Sequence, residues 1–137
     1  MVVNLGCRSV ERIPMPVISG ATAPTFDLPT ATFTGLASPS RGAKETCVWR
    51  TKVHPGAEPG MHSFDHEEVL VVVAGAGVAH LGESEHPIVT GDAIVVPTGT
   101  LFGLGNPHDE PLELIVALPV GALAHMNGQS VVPMTAQ

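Results

Sequence analysis

Between positions 62 and 68 the chain reads HSFDHEE, and this stretch holds its densest set of groups able to do chemistry. His62, Phe64, His66 and Glu68 share sequence parity, so in one extended strand their side chains point to one face. Two histidines and a carboxylate, His62, His66 and Glu68, are an accepted ligand set for Zn or Fe(II). Without a metal, an imidazole beside a carboxylate in an apolar pocket works as a general acid or base, because imidazole titrates near neutrality. Desolvation against phenyl rings pushes such a carboxyl toward its neutral form, and a nearby imidazolium opposes that shift. The plain alternative is a buried, satisfied His–Glu pair with a structural role.

Other candidates are more scattered. Arg50, Lys52 and His54 alternate on one face of a strand, with Trp49, Thr51 and Val53 on the other. If the first face lines a cavity, Arg50 and Lys52 would hold an anionic group; otherwise it is a solvated face. His80 reaches either the interior or the surface of its strand. His86, His108 and His125 sit in loop-like contexts and read as surface residues. No glycine-rich segment leads into a helix, so nucleotide motifs are missing, and the serines show no nucleophile elbow.

The elements that must carry these groups are strands. Helical apolar periodicity is nearly lacking, while Pro and Gly together number 28 and are spread along the chain. Short β-branched runs recur at 47–53, 68–73, 76–81, 93–96 and 112–118, bounded by turn residues, which is the pattern of an all-β sandwich or barrel. AGAG at 74–77 reads as a hairpin turn, since glycine accepts positive φ. Residues 14–40 read as loops with one or two edge strands, 36–45 as an exposed loop, and HPGAEPG at 54–60 as a loop at a barrel mouth. One domain is expected, with an N-terminal arm and edge strands over 1–45, the barrel over 46–120 and a tail over 121–137.

Two longer segments, GMHSFDHEEVLVVVAG at 60–75 and GDAIVVPTGTLFGLGN at 91–106, together resemble the two motifs of the cupin family. Gly56, His62, Glu68 and Gly75 fall on the first motif at the family spacing; Gly91, Pro97, Gly99 and Asn106 fall on the second. The resemblance covers about residues 47–118 and implies a jelly-roll β-barrel, commonly a homodimer, to which the 14–40 region would contribute a swapped strand. It also implies four metal-ligand positions, three His and one Glu. Here they hold His62, Phe64, Glu68 and Phe102, and a phenyl ring has no lone pair for a metal. Phe64 and Phe102 would instead make the pocket apolar and stack on a flat ligand. The family's tyrosine acid for sugar epimerisation has no counterpart, because the chain has no tyrosine.

Charge narrows the partners. The formal net charge is −7, and all six Lys and Arg lie within the first 52 positions, while residues 53–137 carry ten acids. Phosphate backbones need clustered cations, so nucleic acid is not an expected partner. No apolar run approaches the ~20 residues of a membrane span. The LGC around Cys7 sits too near the start for a lipoprotein signal, and a cytoplasmic protein is expected. Cys7 and Cys47 read as free thiols.

The expectation is a small-molecule enzyme without cofactor, with His62, Glu68 and His66 catalytic and Phe64, Phe102, Arg50, Lys52 and His80 binding substrate. Its chemistry would be proton transfer leading to elimination, isomerisation or cyclisation, of the kind found in bacterial secondary metabolism. The alternatives are a Zn, Fe or Ni dioxygenase or lyase using His62, His66 and Glu68, and a non-catalytic binding module.

Overall fold

The computed structural model describes residues 17–137. Cys7, Arg8 and Arg12 lie outside the described residues. The described chain forms twelve strands and no α-helix, so the all-β expectation holds: β1 (Thr25–Asp27), β2 (Ala31–Ala37), β3 (Thr46–Val53), β4 (Ser63–Phe64), β5 (Glu68–Ala74), β6 (Ala76–Leu81), β7 (Ser84–Val89), β8 (Ala93–Val96), β9 (Phe102–Gly105), β10 (Leu112–Pro119), β11 (Ala124–Met126) and β12 (Gln129–Val131). They pair antiparallel in a six-stranded sheet, ordered β1-β2-β3-β10-β5-β8, and two three-stranded sheets, β7-β6-β9 and β12-β11-β4. The architecture is the expected jelly-roll barrel.

Period-two alternation builds the interior. Along β10, Leu112, Leu114, Val116 and Leu118 are buried while their neighbours are half-exposed. In β3 the inward set is Cys47, Trp49, Thr51 and Val53; in β5 it is Glu68, Leu70 and Val72; in β8 it is Ile94 and Val96. Glu68 therefore enters the barrel because it has the parity of Leu70 and Val72 on a strand whose apolar face must be buried. Eleven residues of these four strands belong to one apolar cluster that Phe64 and Phe102 also join.

The AGAG segment differs from expectation. β5 pairs with β10 and β8, whereas β6 pairs with β7 and β9, so residues 74–77 are a corner between two sheets and not a hairpin turn. Gly75 has φ +78°, and a Cβ there would collide with the Pro111 carbonyl oxygen. Both facts require glycine: the left-handed backbone and the passing loop leave no room for a side chain.

The tail is more ordered than its sequence signals. The β11–β12 hairpin pairs with β4, and the chain then returns over β2 and β3 to its end. Ser40 Oγ donates to the Gln137 carbonyl at 2.7 Å, and the backbone N–H of Leu123 donates to Asp65 Oδ1 at 2.7 Å. The His66 ring and the Leu123 amide beside Asp65 hold that carboxyl below its ordinary pKa. No helix among the described residues is long and apolar enough to cross a membrane.

Candidate active site

A cavity of about 600 Å³ lies inside the barrel, within the size range of small-molecule sites. β3 supplies Trp49, Thr51 and Val53, β5 supplies Glu68 and Leu70, and β10 supplies Val116. The two cupin-like motifs meet across it. His62 and Phe102 form an antiparallel bridge, with the His62 N–H donating to the Phe102 carbonyl at 2.9 Å and the reverse bond at 2.7 Å. The His62 ring meets Phe64 edge-on, centroids 5.4 Å apart and planes at 85°, and Phe102 at 5.8 Å and 65°. Phe64 is fixed in turn: it sits opposite Ala124 in β11, and its carbonyl accepts from the Gly99 N–H at 2.8 Å. Gly99, at φ +78°, is the turn that aims Phe102 at His62.

The polar groups of this chamber are few. His62 Nδ1 lies 2.9 Å from the Gly60 carbonyl oxygen. A carbonyl only accepts, so Nδ1 carries the hydrogen, and in the neutral ring Nε2 keeps the lone pair. Glu68 is 3% exposed, and its Oε1 has no hydrogen-bond partner. Desolvation by burial pushes its carboxyl up from 4.5 to about 8. It thus holds its proton at neutral pH and is a hydrogen-bond donor, not a carboxylate. An imidazole and a deeply buried carboxyl thus line one apolar chamber.

The expected residues divide. His62, Glu68, Phe64 and Phe102 line the cavity. His66 does not: it is exposed and its Nδ1 bonds Asp65 Oδ1 at 2.8 Å. The strand breaks between β4 and β5, so the parity that placed His66 with His62 and Glu68 does not carry across residues 65–67. Arg50 and Lys52 are exposed on the outer face of β3, and Arg50 Nη1 lies 3.5 Å from Glu113 Oε1. Their partners Trp49, Thr51 and Val53 face the cavity instead, because the apolar parity is the buried one. His80 is half-buried over Gly105, outside the cavity lining. Neither His66 nor Glu68 orients the His62 ring; the Gly60 carbonyl does.

Several lining groups carried no sequence signal as site residues. Glu58 comes from the HPGAEPG loop, which does sit at the mouth. Thr51 was legible only as a member of an alternating face. Met126, residues 131–135 and Gln137 line the cavity from the tail, and a short irregular segment has no periodicity to announce that.

The donor set does not fit the metal site that the motif resemblance implies. Two of its four positions present phenyl rings, His66 points away, and among the described residues no three of His, Cys, Asp and Glu come together as ligands. His62 and Glu68 alone fall short of the three protein ligands of a catalytic metal site.

Comparison with known proteins agrees with the fold. A family model described as Cupin domain matches residues 49–118. Auxin-binding protein 1 of Arabidopsis thaliana is 30% identical over 86 residues, 56% of this chain and 43% of that protein, so the match spans less than half the relative's length. Among solved structures, the polyketide cyclase RemF from Streptomyces resistomycificus superposes with a TM-score of 0.71 at 17% identity, covering 88% of this chain and 89% of that one. An RmlC-like cupin from Shewanella frigidimarina gives 0.65 at 20% identity over 77% of this chain and 90% of that one. At these identities the structural likeness is one of fold.

Proposed function

This chain belongs to the cupin domain family, and from that premise we propose that it is a metal-independent enzyme using His62 and Glu68 for acid/base chemistry on a small molecule. The carrying observation is the pairing of an imidazole whose Nε2 is left free with a protonated, unpartnered carboxyl in one apolar cavity. His62 Nε2 takes a proton from a carbon next to a carbonyl. The electron pair left behind forms the C=C bond of an enol, and the carbonyl oxygen takes the proton of Glu68. Imidazolium and carboxylate then return protons or move them to a new position, which yields isomerisation, elimination or ring closure according to the substrate. Phe64 and Phe102 keep water away and hold the imidazole edge-on.

The test needs no knowledge of the natural substrate. Exchange of the methyl protons of 2-acetonaphthone for deuterium, followed by NMR, reports enolisation directly. Wild-type protein is expected to accelerate it, and His62→Ala to lower the enzymatic rate ~10²-fold or more, the usual contribution of a positioned base. Exchange no faster than in buffer, or unchanged in a folded His62→Ala protein, sinks the reading.

A further inference from the structure

We propose that the substrate is an uncharged, flat, aromatic carbonyl compound, held between aromatic walls with its oxygen on Glu68, and that the cavity rejects carboxylates and phosphates; this rests on the acid/base reading above and specifies its substrate. The first observation is the absence of cations. Among the described residues no Lys or Arg lines the cavity. Arg41 is committed elsewhere, donating to the carbonyls of Leu36, Thr22 and Ser19. Arg50 lies against Glu113, and Lys44 and Lys52 are exposed. The titratable side chains that do line it are Glu58, His62 and Glu68. An entering anion would meet the acidic Glu58 and Glu68 and would lose its hydration with no Lys or Arg of the described residues to offset it.

The second observation is the wall. Phe33, Trp49, Phe64 and Phe102 contribute four aromatic faces or edges, out of only five Phe and Trp in the whole chain. Concentrating them around one space suits a flat ring system. The third is the rim. Leu28, Met126, Val131 and Met134 line the cavity yet remain 43%, 44%, 51% and 49% exposed. Large apolar side chains held open to solvent at an entrance favour an apolar guest.

The fourth is the unpartnered oxygen of Glu68, a buried polar atom that an incoming group would satisfy. Burial keeps its carboxyl protonated at neutral pH, so the group that completes it is a hydrogen-bond acceptor. A ketone, quinone or enolisable ester oxygen accepts without bringing charge, and its adjacent carbon is the one that His62 Nε2 would deprotonate.

Three probes of one ring system separate the possibilities: 2-acetonaphthone, 2-naphthoate and 2-(aminomethyl)naphthalene, titrated into the full chain at pH 7 by calorimetry or tryptophan fluorescence. The ketone is expected to bind with a Kd below about 1 mM and at least tenfold more tightly than either charged probe. A weaker ketone, or a charged probe within tenfold of it, overturns the proposal. Glu68→Leu provides the second reading: it is expected to cost the ketone at least threefold in affinity while leaving the preference over naphthoate in place, and an unchanged ketone affinity removes Glu68 as the contact. The two readings fail separately. Ketone preference without His62-dependent exchange defeats the acid/base function, and His62-dependent exchange with equal naphthoate binding defeats the substrate class.

Discussion

His62 Nδ1 donates its hydrogen to the carbonyl of Gly60, 2.9 Å away and two residues earlier in the chain. A carbonyl only accepts, so this bond places the ring hydrogen on Nδ1 and holds the ring of a residue that lines the cavity. Because the orienting group is main chain, it cannot be deleted by substitution, and His62 itself is where the chemistry is open to test.

The imidazole prediction concerns rescue as well as loss. His62→Ala leaves a space between Phe64 and Phe102 about the size of the missing ring. Added imidazole is expected to restore part of the 2-acetonaphthone exchange, at least threefold at saturating concentration, and, because it binds the folded state, to raise the variant's melting temperature slightly. No rescue in a folded variant would argue that the ring acts in packing alone.

Glu68 makes the fold less stable as pH rises. Its folded carboxyl sits at about 8 and its unfolded one near 4.5. Between these values the unfolded chain gives up a proton that the folded chain keeps, so stability is full below about pH 4.5 and declines up to about 8. The upper bound on the decline is about 5 kcal/mol, from 1.36 kcal/mol per pKa unit. Glu68→Gln removes the ionisation, so urea denaturation at pH 5 and pH 8 is expected to show a smaller loss than in the wild type. Equal losses in both proteins would place the ionisation elsewhere.

The phenylalanines can be turned back into ligands. Phe64 and Phe102 flank His62 and are 6% and 2% exposed. The double variant Phe64→His, Phe102→His should present three imidazoles and Glu68 to one point. It is expected to retain close to one equivalent of Zn or Ni after dialysis, against less than about a tenth for the wild type, measured by elemental analysis of untagged protein. A wild-type protein that retains a full equivalent would contradict the donor count made above.

Gly75 carries the corner between two sheets. At φ +78° and with the Pro111 carbonyl oxygen in the way of any Cβ, Gly75→Ala forces the loop before β10 to move. A loss of about 2–4 kcal/mol is expected in chemical denaturation. Gly60→Ala, where a Cβ would have nothing within 4 Å of it, serves as the control and should lose much less.

Much of the barrel was legible from residue order, because a half-buried strand writes its period into the chain. The runs at 47–53, 68–73, 76–81, 93–96 and 112–118 are β3, β5, β6, β8 and β10 to within a residue or so. The positions of His62, Phe64, Glu68 and Phe102 followed from two motif spacings, and all four do meet around one cavity. These are local signals: alternation, turn glycines and short fixed intervals.

Tertiary structure decided what alternation leaves undetermined. Parity says that Arg50 and Trp49 face opposite ways, but only the burial of an entire apolar sheet face says which way is inward. Parity also fails at the first break in a strand, and so His66 pairs with Asp65 at the surface while Glu68 enters the core. β4, β11 and β12 have only two or three residues and show no period, and β9 alternates with glycine, so these strands exist through their pairing. The tail that closes the cavity is held by contacts such as Ser40 to Gln137, 97 residues apart. The unpartnered oxygen of Glu68 belongs partly to the same class: residue order set Glu68 beside Phe64 and Phe102 and so pointed to a carboxyl pushed toward its neutral form, but that no partner reaches its Oε1 is a property of everything around it.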